Sequence, residues 1–223
     1  YKFKSMNKGL ILIIALAFGF QGFTQGDIKE GILVMSQKMS SDNEQMNAQI
    51  SMMGDMTSTT YFKNDKSRTE VSSPMTGDMV VVTNGLTKEM ITLMDNLMLG
   101  KKYLKGSLDA AKDASNDITV KKGDETKMVL GYKCQQYFVT TNVEGQSMEM
   151  EVYATDAISV YSQQTAAFSN DIKGFPLYMT MNMTQMGANI TITSEVTEIK
   201  EESVEDSKFI MIIPEGYDEM KQD

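Results

Sequence analysis

The sequence predicts a mainly β chain: one large, curved antiparallel sheet or unclosed β-barrel carrying one or two helices. Three observations predict it. In residues 177–186, LYMTMNMTQM, Leu177, Met179, Met181 and Met183 alternate with Tyr178, Thr180, Asn182 and Thr184. Successive side chains of a strand point to opposite faces, so this pattern reads as a strand with one apolar and one wet face. Many other short runs of this kind are separated by Asn, Asp, Gly and Pro, the spacing of an all-β fold. Only residues 155–170 carry a convincing helical stripe, with Ile158, Tyr161 and Phe168 at three- and seven-residue steps and Thr155 or Asp156 as a cap.

Taken in order, residues 31–39 read as a first strand with Leu33, Met35 and Met39 on one face, ended by the turn cluster Ser41-Asp42-Asn43. Met46, Ala48, Ile50 and Met52 alternate with polar residues and predict a second strand, broken at Gly54-Asp55. TSTTYFK, residues 57–63, is β-branched and aromatic and predicts a third. Asn64-Asp65 turns into residues 66–72, and Pro74 and Gly77 precede a strand over 78–83. Asn84-Gly85 is a hairpin signal. Leu86, Met90, Leu93, Met94, Leu97 and Met98 then fall at helical spacing, but the hairpin predicts strands over 88–94 and 99–104. Residues 107–116 read as a helical turn or two, or a loop, and residues 121–127 as a charged stretch with Gly123-Asp124 as a turn. One long strand is expected over 128–141, a hairpin loop over 142–145, and a return strand in which Met148, Met150 and Val152 alternate with Glu149, Glu151 and Tyr153. Gly174 and Pro176 close the predicted helix. After the turn at residues 186–189, Ile190, Ile192 and Val196 share a face. Residues 201–206 read as an acidic loop, 209–213 as a last strand, and the chain beyond Tyr217 as a frayed tail.

The 223 residues include 21 methionines, one cysteine and no histidine, with a net charge of −9. An acidic chain repels phosphates, so a nucleic-acid partner is not expected. Without histidine the commonest general base and metal ligand are missing. Arg68 is the single arginine, which leaves little for clamping carboxylates or phosphates. Asp and Glu lie in turns and on polar faces. The expectation is a protein that is not an enzyme and needs no cofactor.

Lys2, Lys4 and Lys8 precede the apolar run LILIIALAFGF, residues 10–20. A basic stretch before a short apolar one is the pattern of a secretory signal peptide, with Met6 as its start. Thr24 and Gly26 satisfy cleavage after Gly26, with Gln25 the alternative. The run is shorter than the ~20 residues of a membrane span, and no cysteine near the cut forms a lipobox. The expected organisation is a cleaved signal peptide over 1–26 and a single β-rich domain over 27–223. The protein would be periplasmic or secreted, without stable membrane insertion. Cys134 would then be alone in an oxidising compartment, either a buried inert thiol or a site of intermolecular pairing.

The run TKMVLGYKCQQY around Gly131-Tyr132-Lys133-Cys134, the later VYATD and the closing DSKFIMIIPEGY resemble DUF4412, a domain-of-unknown-function family of exported bacterial proteins with a GYKC motif. The likeness extends over residues 31–217. The chain departs at Tyr153, where that family commonly carries tryptophan. The family is in turn similar to the periplasmic lipoprotein carriers of the LolA/LolB-like fold, an unclosed barrel around a helix-lidded apolar cavity. The resemblance implies that fold and carries no activity with it.

Methionine is unbranched and polarisable, so a wall of it repacks around differently shaped ligands. Met46, Ile50, Met52, Met148, Met150, Met179, Met181 and Met183 are the candidate lining of an apolar groove. Its ligand would be a hydrophobic small molecule, a lipid or a lipoprotein acyl chain. The bland alternative is that these residues fill a core in place of Leu and Ile. Two other readings stay open. Thioethers bind Cu(I) and Ag(I), with Met179, Met181 and Met183 as ligands, or the open sheet edge pairs with an envelope protein.

Overall fold

The computed structural model describes residues 27–73, 77–96, 98, 100–113, 118–143, 146–168, 171–185 and 187–220. The predicted signal peptide lies outside the described residues. Twelve strands form one sheet: β1 (Glu30–Ser41), β2 (Met56–Lys63), β3 (Lys66–Ser73), β4 (Gly77–Asn84), β5 (Glu89–Asn96), β6 (Gly100–Ser107), β7 (Thr119–Val129), β8 (Tyr132–Val143), β9 (Gln146–Thr155), β10 (Phe175–Gln185), β11 (Ala188–Lys200) and β12 (Asp218–Glu219). Their order is β12-β6-β5-β4-β3-β2-β1-β11-β10-β9-β8-β7. Every pairing is antiparallel except that of β12 with β6. The sheet is unclosed, because its last members at either side, β12 and β7, do not pair with each other. The expected fold class is what the chain adopts.

Two meanders make the sheet. Strands β1 to β6 follow one another, as do β7 to β11, and β1 joins them by pairing with β11. Chain direction therefore sets two ends. Helix α1 (Glu44–Met53) follows β1 at one end. At the other end lie α2 (Leu108–Asp113), which follows β6, and the excursion 156–174 between β9 and β10, which contains α3 (Gln163–Phe168). Helices α2 and α3 pack together. None of the described helices is long and apolar enough to cross a membrane.

The excursion is tied in by a short bridge. Ile28 N–H donates to the Ala157 carbonyl at 2.8 Å and Ser159 N–H to the Ile28 carbonyl at 3.0 Å. Ile158 is thereby fully buried against Leu33, Phe62, Phe175, Leu177 and Val196. A second cluster places Phe168 and Ile172 over Tyr137, Val139, Val152 and Ala154. The sheet face under the excursion is called the inner face.

The C-terminal segment crosses the outer face. Val204 N–H donates to Glu30 Oε1 at 2.7 Å, Lys63 Nζ lies 3.0 Å from Asp206 Oδ1, and Lys208 Nζ sits 4.0 Å from the Tyr61 ring centre. The Val204 amide holds the Glu30 carboxyl below its ordinary range, and Lys63 does the same for Asp206. A 3-10 turn, Asp206–Phe209, packs on β3 and β4, with Val204 and Phe209 buried.

Several expected elements differ. Residues 46–52 are helical in α1, not a second strand: Asn43 Oδ1 caps the helix by accepting from Met46 N–H at 3.0 Å, and Gly54 ends it at φ 70°. The helix expected over 155–170 shrinks to α3, because the Ile28 bridge holds its first part extended. The single strand expected over 128–141 is two strands joined by Leu130-Gly131, both at positive φ. Residues 121–127 belong to β7, and the turn expected at Gly123-Asp124 is an irregularity of that strand between Lys122 and Thr126. Asn84-Gly85 opens a four-residue loop in which the Asn84 side chain accepts from the amides of Leu86 and Thr87. Residues 210–213 form no strand, and the expected frayed tail instead contributes β12 beside β6.

Two glycines of similar conformation separate backbone strain from steric exclusion. Gly131 (φ 86°) has open space where a Cβ would stand, whereas at Gly174 (φ 85°) a Cβ would lie 1.9 Å from the Thr155 carbonyl oxygen. Gly131→Ala should cost about 1 kcal/mol, the left-handed penalty alone. Gly174→Ala should cost clearly more, as urea unfolding of the two variants would measure.

Candidate functional site: the inner face

Strand register decides which side chains share the inner face. On β10, Met179 stands opposite Val152 and Ser194, and Met181 opposite Met150 and Ile192. Met183 is opposite Ile190. One row runs directly across six strands: Met39, Ile192, Met181, Met150, Val139 and Val120. At the ordinary spacing between strands it is about 24 Å long. Val139 is buried beside Phe168, while Met39, Met150, Met181 and Ile192 are each half-buried. The row is thus covered at the α3 side and accessible toward β1.

Met150 and Met179 are half-buried and pack against the Phe168 cluster. Among the described residues Met90 is the single methionine in the buried core, which is otherwise built of Val, Leu, Ile, Phe, Tyr, Ala and Cys134. On this face of β9 and β10, Val152 and Ala154 are buried, and Met148, Met150, Met179, Met181 and Met183 are half-buried. On β9 and β10 the half-buried apolar positions of this face are thioether side chains.

Beside this wall, β1 to β4 with Ser162 and Phe175 line a half-open pocket of about 250 Å³. Its apolar lining is Leu33, Met35, Met56, Val71, Val81 and Phe175; hydroxyls of Ser58, Thr60, Ser67, Thr69 and Thr83 face it too. The hydroxyls pair across strands, Thr60 with Thr69 at 2.9 Å and Ser67 with Thr83 at 2.8 Å. The Tyr161 carbonyl lies within hydrogen-bond reach of both Ser67 and Thr83, whose two protons are shared among the three oxygens, and this clamps the excursion onto the far half of the sheet. Gly85 permits this approach, since a Cβ there would meet the Tyr161 ring at 2.6 Å. A further cavity of about 390 Å³ lies between α2, α3 and the excursion, with Lys88 and Asp109 at its wall.

Of the residues expected to line a groove, Met148, Met150, Met179, Met181 and Met183 do share one half-buried face. Met46 and Ile50 are half-buried on α1, and Met52 on that helix is 82 % exposed. None of the eight lines the 250 Å³ cavity; its thioethers are Met35 and Met56, which the sequence reading passed over. Their position was readable in part, since Met35 shares the alternation of Leu33 and Met39 in β1.

Cys134 lies apart from this face. It is fully buried, and burial pushes its thiol up to about 11. Among the described residues no group of three or more His, Cys, Asp and Glu side chains is placed to hold a metal ion.

A model of the family described as "Domain of unknown function (DUF4412)" matches residues 43–217. The chain belongs to the DUF4412 family. No curated protein matches this DUF4412 chain in sequence. Among solved structures it is similar to PNGF-II in two crystal forms. The P21 form has 16 % identity and a TM-score of 0.48, covering 85 % of this chain and 32 % of that one. The C2 form has 15 % identity and a TM-score of 0.45, with coverages of 86 % and 31 %. The DUF4412 chain thus spans about a third of PNGF-II. It is also similar to the Mycobacterium tuberculosis lipoprotein LppX, at 8 % identity and a TM-score of 0.34, covering 78 % and 88 %.

Two outcomes are expected. Ser67→Ala and Thr83→Val should each cost about 1 kcal/mol, and the double variant more than their sum, because either single change leaves the Tyr161 carbonyl one donor. Denaturant titration of the cycle measures this. At pH 8 the Cys134 thiol should resist iodoacetamide in the folded protein and react once urea unfolds it, as mass spectrometry would record.

Proposed function

We propose that this chain is an exported, non-catalytic binding protein whose inner face takes an apolar ligand: a lipid, an acyl chain or another hydrophobic molecule. The observation that carries the reading is the registered row from Met39 to Val120, apolar at all six positions and half-buried over its β1 part. A chain lying along the row would cover Met39, Ile192, Met181 and Met150 and end against the Phe168 cluster. Each methylene it buries is worth ~0.8 kcal/mol, so a dozen outweigh the cost of ordering a flexible chain. The neighbouring cavity, with Met35 and Met56 beside paired hydroxyls, offers room for a weakly polar end such as an ester. Flexible thioethers suit a wall that accepts more than one chain shape.

The test is native mass spectrometry and solvent extraction of the full chain purified from an exporting host, followed by titration with a fluorescent fatty acid. A co-purifying amphiphile or saturable binding is expected. Met181→Asp, which places a carboxylate in the middle of the row, should weaken binding at least tenfold while the far-ultraviolet spectrum is unchanged. A clean apo mass together with no saturable uptake of the probe would sink the proposal.

A further inference from the structure

We infer that Met148 and Met150 of β9 with Met181 and Met183 of β10 form a thioether site for a soft monovalent cation, Cu(I) or Ag(I). Met181 pairs directly with Met150, and the same register extended by one residue sets Met183 beside Met148. Directly opposed side chains of an antiparallel pair have Cβ atoms ~5 Å apart, and diagonal neighbours ~7–8 Å. Methionine has three rotatable side-chain bonds, so four sulfurs from this block can converge on one ion. All four residues are half-buried, reachable yet partly shielded from water.

The donor set selects the ion. Thioethers are neutral and soft, and they favour Cu(I) over hard divalent cations, which want oxygen. Glu149 and Glu151 alternate with these methionines and so project from the opposite face, opposite Asn182 and Thr180. The chain has no histidine. Cys134 belongs to the buried Leu33 cluster. The set is therefore sulfur from thioether alone. Nothing about strand packing demands it: β-branched residues fit a strand better, and the covered positions nearby are Val152 and Val139.

The inference is separate from the apolar-ligand reading. Leucine keeps apolar bulk and removes sulfur, so Met148→Leu/Met183→Leu, outside the row from Met39 to Val120, should retain fatty-acid binding and lose the metal. The experiment titrates the full chain with Ag(I) in chloride-free buffer by native mass spectrometry, and with Cu(I) against a chromogenic chelator under reducing conditions. One tightly held ion per chain is expected, its affinity at least tenfold lower in the double variant and unchanged in Cys134→Ala. No ion uptake, equal affinity in the double variant, or loss in Cys134→Ala would each overturn the assignment. Should the double variant not fold, X-ray absorption of the Cu(I)-loaded native chain decides. A shell of sulfur alone that persists in Cys134→Ala supports the site, and a nitrogen or oxygen shell overturns it.

Discussion

The pairing of β1 with β11 is the interaction on which the molecule rests. It brings together strands from opposite ends of the chain and fuses two meanders into one sheet. Because side chains alternate with period two, a slip of one residue here would turn one meander's inner face outward. The pairing is irregular between Val34 and Met35, where β11 carries an extra residue. On either side of that irregularity Leu33 meets Ile199 and Met35 meets Val196, so the apolar face stays continuous through the bulge. Ile28, just before β1, then anchors Ile158, so the same strand that joins the meanders also fixes the excursion over them.

The excursion divides the inner face. Toward the α3 end, Ile158, Phe168 and Ile172 seal it with branched and aromatic side chains. Toward the α1 end it is floored by methionines that remain partly accessible. The hydroxyl clamp of Ser67 and Thr83 on the Tyr161 carbonyl ties the excursion to β3 and β4. It satisfies a loop carbonyl that would otherwise face an apolar surface. Lys88, 5.4 Å from the Tyr161 ring centre, covers the same loop from the solvent side.

Where side chains alternate strictly, the sequence was legible: β1, β9 and, from Tyr178 on, β10 carry the face parity that their spelling predicts, and Met150 of β9 meets Met181 of β10. Alternation misled at residues 46–52, because Met46 and Ile50 are also four apart and the local cap at Asn43 favours a helix. The Leu130-Gly131 turn was hidden because leucine rarely takes positive φ, so half of the turn carried no signal. The path of the C-terminal segment was illegible for another reason. It is held by side chains of β1, β2 and β3, far away in sequence, rather than by any local preference. The cavity between β1 and β4 was equally out of reach, since it depends on register among four strands and on a loop from β9.

The two margins of the sheet are finished differently, and this bears on self-association. Beside β6, two residues of β12 occupy part of the margin in the parallel sense. The β7 margin is lysine-studded by Lys121, Lys122 and Lys127 and kinked where Gly123 to Glu125 leave the ladder. Straight, uncharged backbone is what a neighbouring copy needs in order to add strand upon strand. A stopper at one side and a bent, cationic hem at the other are both features that oppose strand-on-strand growth of so wide a sheet.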